Sequence, residues 1–111
     1  MEQIQIDDFL KLDIRVCTVV SAEKLPDSDK LLKLIFDIGA GEKRQVLSGI
    51  ASVYPDPSVL IGQQIPVILN LAPRTMRGEV SNGMILAASA LDDSAVLLCP
   101  VNPVPPGSKV R

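Results

Sequence analysis

"KLLKLIFDIGAGEKRQVLSGIA", residues 30–51, decides how the chain is read. Leu32, Leu34, Phe36 and Ile38 recur at every second position. That period belongs to an extended strand with one face in a core, because successive side chains of a strand point to opposite faces. "GAGE" (39–42) supplies the glycines of a hairpin connection, and "KRQVLSGIA" (43–51) returns as the partner strand.

The same reading extends in both directions. Upstream, "LDIRVCTVVSAEKL" (12–25) places Ile14, Val16, Val20 and Ala22 on one side of another strand, and "PDSD" (26–29) is a turn cluster. "IDDFLKL" (6–12) has room for one helical turn with Asp7 as its N-cap. Downstream, the prolines of "SVYPDPSVLIGQ" (52–63) leave space for little more than a helical turn. "QIPVILNLA" (64–72) is a fourth strand with Ile65, Val67, Leu69 and Leu71 inward, and Pro66 marks an edge or a bulge. After a loop, "GMILAASA" (83–90) is the fifth strand. "AVLLCPVNPVPPGSKV" (95–110) adds one short strand, a proline-rich extension and a short last strand. Five short strands with no helix of ordinary length make an all-β barrel. The pattern fits an OB-like Greek-key barrel with short terminal additions better than a sandwich, which uses more strands.

The 111 residues are sized for one domain, and an apolar fraction of 47% can fill one core. No apolar run is long enough for a membrane helix, and the acidic start "MEQIQIDDF" has no secretory pattern. Cys17 and Cys99 both sit in apolar surroundings and read as buried free thiols, with a disulfide or a reactive thiol as the alternatives; this points to a cytoplasmic protein.

Histidine is absent, which removes the commonest general base and the commonest metal ligand together. Ser48 and Ser81 have no histidine to activate them as nucleophiles. Asp7-Asp8 and Asp92-Asp93 read as a helix start and a turn, and "DSDK" (27–30) as a turn rather than a cation site. "GAGEKR" lacks phosphate-loop spacing. The chain reads as a non-enzyme with no cofactor and no metal.

Charge is unevenly placed on a chain of net −2. Residues 1–29 carry a balance of −4, residues 30–77 +3, and residues 78–111 −1. A basic middle on an acidic chain marks an anion-binding face. Its focus is "NLAPRTMRGEVSNGM" (70–84), a long loop with Arg74 and Arg77 and the lone acid Glu79. Barrels that bind single strands stack bases on aromatic rings, each worth roughly 1–3 kcal/mol. Only Phe9, Phe36 and Tyr54 are available, too few for a stacking platform. Phosphate and ribose contacts by Arg, Lys, Asn, Ser and backbone N–H groups remain, which suits a folded RNA recognised by shape.

"DFLKLDIRV", "DKLLKL", "RQVLSGIA", "NLAPRTMRGEVSNGMILAA" and "PPGSKV", in this order, resemble the tRNA-binding domain of the methionyl-tRNA synthetase C-terminal appendage. The domain also occurs as a free-standing bacterial tRNA-binding protein and in cytokine-like cofactors of animal synthetase complexes. The resemblance spans nearly the whole chain. It implies an OB fold, no catalysis, tRNA as the partner, bound at its outer corner, and an association with methionyl-tRNA synthetase. It also implies a homodimer joined through the terminal additions, here residues 1–12 and about 90–111. Carried over position by position, the implied tRNA contacts are Lys30, Arg44, Ser48, Asn70, Arg74, Met76, Arg77, Ser81 and Met84. Structural readings stand beside several: Arg44 as a cross-strand ion-pair partner, Met76 and Met84 as core, Asn70 as a loop brace.

Departures from the family pattern include Thr75 and Gln63 where lysine is frequent, Cys17 where glycine is usual, and one extra residue in "YPDPSVLIG". Each missing lysine weakens the phosphate contribution. "VLLCPVNPVPPGSKV" is also similar to the tail of a dimeric, peptide-binding secretion chaperone on the same fold, which is the alternative reading.

Overall fold

The computed structural model describes all 111 residues, Met1–Arg111. Its elements in chain order are α1 (Ile6–Leu10), β1 (Ile14–Lys24), β2 (Leu32–Gly39), β3 (Glu42–Ser48), a 3-10 turn (Pro57–Leu60), β4 (Gln64–Ile68), β5 (Arg74–Met76), β6 (Glu79–Ser81), β7 (Met84–Ile85), β8 (Ala87–Ser89), β9 (Ala95–Leu97) and β10 (Ser108–Lys109). One antiparallel sheet in the order β3-β2-β1-β4-β7 curls into an OB-like barrel, with β10 as a further neighbour of β1. β5–β6 and β8–β9 are separate two-stranded sheets.

β2 matches its sequence pattern. Leu32, Leu34, Phe36 and Ile38 are all buried, and they join Val46, Ile65, Val67 and Ile85 in one core. The β2–β3 hairpin closes through Gly39, Ala40 and Gly41, all with positive φ.

β1 departs from its expected phase. Cys17 and Val19 face the core, whereas Val20 is exposed and Val16 only half-buried. The pairing with β2 shifts register between Val19 and Ser21, so Val20 is the extra residue of a β-bulge. A bulge flips the side-chain phase, which lets Ala22 pack against the core beyond it. Ile14 is buried, but it lies outside the main core and opposite Ile68, on the other face of the sheet.

β4 buries Ile65, Val67 and Leu69 as expected, while Leu71 is exposed because the strand ends at Ile68. Pro66 lies in an interior strand rather than at an edge. Its carbonyl accepts from the Leu86 N–H at 3.0 Å, so its imide nitrogen also faces the β7 side, where the pairing covers only two residues. The expected fifth strand is divided: Met84–Ile85 completes the barrel, and Ala87–Ser89 leaves it to pair with β9. The helical turn at the N-terminus forms, but its cap is Gln5 rather than Asp7. The Asp8 carboxylate accepts from the Gln5 N–H at 3.0 Å, and Asp7 sits inside the first turn. The 3-10 turn is capped by Asp56, whose carboxylate accepts from the Ser58 N–H and hydroxyl. No helix is long and apolar enough to cross a membrane.

The barrel closes between β3 and the β6–β7 segment, and side chains supply much of that seam. Ser81, the one buried polar residue, accepts from the Leu47 N–H at 2.9 Å through its hydroxyl oxygen. The Asn82 N–H donates to the Gln45 carbonyl at 2.9 Å. Removing the Ser81 hydroxyl orphans a buried amide, at a cost of about 1–3 kcal/mol. Ser81→Ala therefore lowers the urea midpoint with an unchanged m-value; an unmoved midpoint would release Ser81 from this role.

The C-terminal extension returns to β1. Strand β10 takes the edge of β1 that β2 leaves at Asp37, with Arg15 opposite Lys109 and Val16 opposite Ser108. At that handover a Cβ on Gly107 would run into the Ile38 carbonyl, whereas a Cβ on Gly41 would meet nothing within 4 Å; both residues have positive φ. Gly41→Ala carries only the backbone strain, about 1 kcal/mol, while Gly107→Ala adds a steric clash and lowers the melting temperature further. Equal losses would show that the tail does not press on the hairpin.

The cysteines differ. Cys17 is buried and free, and burial pushes its thiol pKa up to about 11. Cys99 is free but exposed, against expectation, because the tail beyond β9 runs over the surface. A thiol reagent at pH 8 leaves Cys17 unmodified in the folded protein and modifies both cysteines after unfolding. Rapid labelling of Cys17 in the folded state would contradict this.

Candidate nucleic-acid interface

The stretch read as one loop, 70–84, is built around a hairpin. Strands β5 and β6 pair Arg74 with Ser81, Thr75 with Val80 and Met76 with Glu79, leaving Arg77-Gly78 as a two-residue turn. Both turn residues are left-handed, with φ of 52° and 78°. That is the mirror-image turn that suits the twist of a hairpin, and it prefers Asn-Gly. Arginine at its first position sits in a conformation that costs roughly 1–2 kcal/mol. The backbone does not ask for this side chain.

Arg74 and Arg77 are both exposed, at one end and at the tip of the hairpin. None of the four cations expected at the site, Lys30, Arg44, Arg74 and Arg77, enters an ion pair. By contrast Lys11 is paired with Asp8 and Arg15 with Asp13. Lys33 is paired with Glu23 and Glu79, which raise its pKa, Glu79 foremost. The lone acid of the loop is therefore spoken for.

A concavity of about 370 Å³ lies beside the hairpin, lined by Leu47, Leu71, Pro73, Arg74, Met76 and Met84, with Ser81 at its wall. It brings together four of the expected residues: Arg74, Met76, Ser81 and Met84. Met84 is exposed and Met76 half-buried, so neither belongs to the core. No aromatic ring lines it: Phe36 is in the core, Tyr54 packs against the core, and Phe9 is on α1.

The other expected residues divide by what their polar atoms already hold. The Arg44 guanidinium donates from one nitrogen to the Leu69 carbonyl at 2.9 Å and to the Asn82 carbonyl at 3.2 Å. It braces both ends of the segment carrying the hairpin, in place of the ion pair that one reading assigned to it. Asn70 holds the N-terminal segment: its oxygen accepts from the Asp13 N–H at 2.8 Å, and its amide nitrogen donates to the Lys11 carbonyl at 2.7 Å. Lys30 has an anchored backbone, its carbonyl accepting from the Ala51 N–H at 3.1 Å, and an exposed side chain. Ser48 is half-buried at the end of β3, opposite Leu32 and one residue beyond the Leu47–Ser81 bond. Lys30 and Ser48 thus share one end of the β2–β3 ladder and lie outside the concavity lining.

Gln45 escaped sequence reasoning. It lies on β3, and its amide nitrogen donates to the Val80 carbonyl at 2.9 Å, tying the hairpin to the barrel. The apolar lining from Leu71 and Pro73 was also missed, and nothing in the local pattern marks it. No three cysteine or carboxylate side chains come together in a metal-holding cluster.

Residues 14–109 match the model of the family described as "Putative tRNA binding domain". Among solved structures, a MetRS-related protein from Pyrococcus horikoshii is 36% identical, covers 100% of both chains and superposes with a TM-score of 0.91. The chaperone CsaA from Bacillus anthracis is 33% identical over 99% of this chain and 100% of its own, with a TM-score of 0.88. The C-terminal domain of Plasmodium vivax p43 is 30% identical over 93% of this chain and 61% of its own, with a TM-score of 0.80. With all but its first thirteen and last two residues inside that match, the chain belongs to the tRNA-binding domain family.

Proposed function

We propose that the protein is a non-catalytic binder of folded tRNA that recognises shape rather than sequence. The observation that carries this reading is the hairpin tip. Arg77 occupies a strained, exposed turn position that structure alone would give to asparagine, with Arg74 nearby and neither in an ion pair. Forked guanidinium donors on a protruding hairpin suit phosphate oxygens. Lys30 and Ser48 extend the contact along the end of the β2–β3 ladder, and Arg44 adds positive charge behind the lip. Met76 and Met84 offer polarizable surface to a base or ribose where aromatic rings are lacking. Asn70 and Ser81 act through the framework they hold.

The protein works in the cytoplasm, and its likeness to a MetRS-related protein supports assistance to a methionyl-tRNA synthetase in cis or in trans. The terminal additions expose Ile4, Ile6 and Leu10 at one end and Leu91, Val96, Leu98 and Val101 at the other, apolar surface that supports a homodimer joined there. A second reading, a dimeric chaperone holding peptides in the same concavity, draws on the concavity's mostly apolar lining and on the likeness to CsaA.

The test is anisotropy of labelled tRNA at two salt concentrations, with unstructured RNA of equal length as competitor. Folded tRNA wins, and its binding weakens steeply with salt. Arg77→Asn suits the turn better, so the fold is at least as stable. It nevertheless weakens tRNA binding several-fold and flattens the salt slope by about one phosphate contact. Unchanged affinity and slope would remove Arg77 from the interface. Binding of unfolded polypeptide with no binding of tRNA would favour the chaperone reading.

A further inference from the structure

We propose that Lys33 and Glu79 are a positioning pair that sets the angle of the arginine-bearing hairpin over the concavity, a role that rests on the tRNA-binding reading. An eight-residue hairpin standing outside the main sheet is marginal by itself, so its attachments decide where it points. Beyond the Arg44 and Asn82 bonds that brace its flanks, three side-chain attachments reach residues 74–81 themselves. Ser81 fastens its base to Leu47, and Gln45 holds its middle at Val80. The third is the ion pair between Lys33 Nζ and Glu79 Oε1 at 3.1 Å, which reaches from β2 to a residue 46 positions away. Glu79 directly follows the Arg77-Gly78 turn, so this is the attachment nearest the tip.

The Lys33 ammonium is shared. Glu23 lies directly opposite Lys33 in the β1–β2 ladder and contributes a second carboxylate at 3.2 Å. The Glu23 side chain is 65% exposed and the Glu79 side chain 36%, against 24% for Lys33, so the bond to the hairpin is the better sheltered of the two. The cluster joins three strands and carries a net charge of −1 beside a surface read as phosphate-binding. By Coulomb attraction alone a carboxylate there opposes RNA binding. Its presence is accounted for when the ordering of the tip outweighs that opposition, and this sets the sign of the test.

Four variants separate the possibilities: Glu79→Ala, Glu79→Gln, Lys33→Met and the double Lys33→Met/Glu79→Ala. Each is assayed for tRNA binding by anisotropy and for amide hydrogen exchange over residues 74–81. Glu79→Ala speeds exchange of the amides at positions 76 and 79, the paired rung that closes the tip, leaves exchange in β2 unchanged, and weakens tRNA binding about two- to five-fold, the range of a half-exposed ion pair. Glu79→Gln, which keeps an acceptor for Nζ, falls between wild type and Glu79→Ala. The double variant binds no more weakly than Lys33→Met alone. Binding by Glu79→Ala that equals or exceeds wild type overturns the proposal, because charge alone then governs the lip. If wild type binds no tRNA, the binding reading fails independently, and the exchange arm still decides: unchanged exchange at the tip overturns the clasp.

Discussion

One strand has to serve three partners, and the rest of the molecule is arranged around how it does so. β1 pairs with β4 along one edge through Ile14–Thr18, and with β2 along the other through Thr18–Lys24. β10 occupies what β2 leaves free. A straight ladder of this length would keep one face inward throughout. The bulge at Val20 adds local twist and changes the face, so the sheet curls and the two halves of β1 serve different parts of the barrel. The close approach of Gly39 and Gly107 is a consequence, since two chain segments must meet where β2 hands its edge to β10.

Closing the curl places the proposed binding surface. The seam between β3 and the segment after β6 holds a backbone bond from Asn82 to Gln45 and depends on Ser81, Gln45 and Arg44 side chains. Those same bonds carry the β5–β6 hairpin, so barrel closure and presentation of the arginines are a single arrangement. The backbone is thereby satisfied by groups that a family likeness would assign to a ligand. Ser81 has its hydroxyl inside the seam, and Asn70 spends both amide atoms on the N-terminal segment. What is left outward-facing is narrower than the full set of expected contacts: Arg74 and Arg77 on the hairpin, Met84 beside the concavity, Lys30 at the ladder's end.

Electrostatics follow the same division. Lys11, Arg15 and Lys33 are neutralised by nearby carboxylates; the four cations expected at the lip are not, and neither are Lys24, Lys43, Lys109 and Arg111. On a chain of net charge −2, Arg74 and Arg77 are therefore set apart by their place on one protruding hairpin, and not by being the sole unpaired cations.

The sequence by itself determined whatever depends on neighbours in the chain. The alternation in β2, the β2–β3 turn and the helical turn after Asp56 were legible, because local sterics and side-chain periodicity fix them, whereas the hairpin inside residues 70–84 was read as a loop. Tertiary structure decided whatever depends on distant partners. The phase of β1 was ambiguous, since Val16, Cys17, Val19 and Val20 offer apolar side chains at both parities, and only pairing with β2 selects the bulge. Ser81 meets Leu47 across 34 residues, Glu79 meets Lys33 across 46, and Asn70 meets Asp13 across 57. A hydroxyl, a carboxylate and an amide look alike in a one-dimensional string whether they await a ligand or a backbone group of their own chain. Only closure of the barrel brings those partners within hydrogen-bonding distance and settles which of the two each one has found.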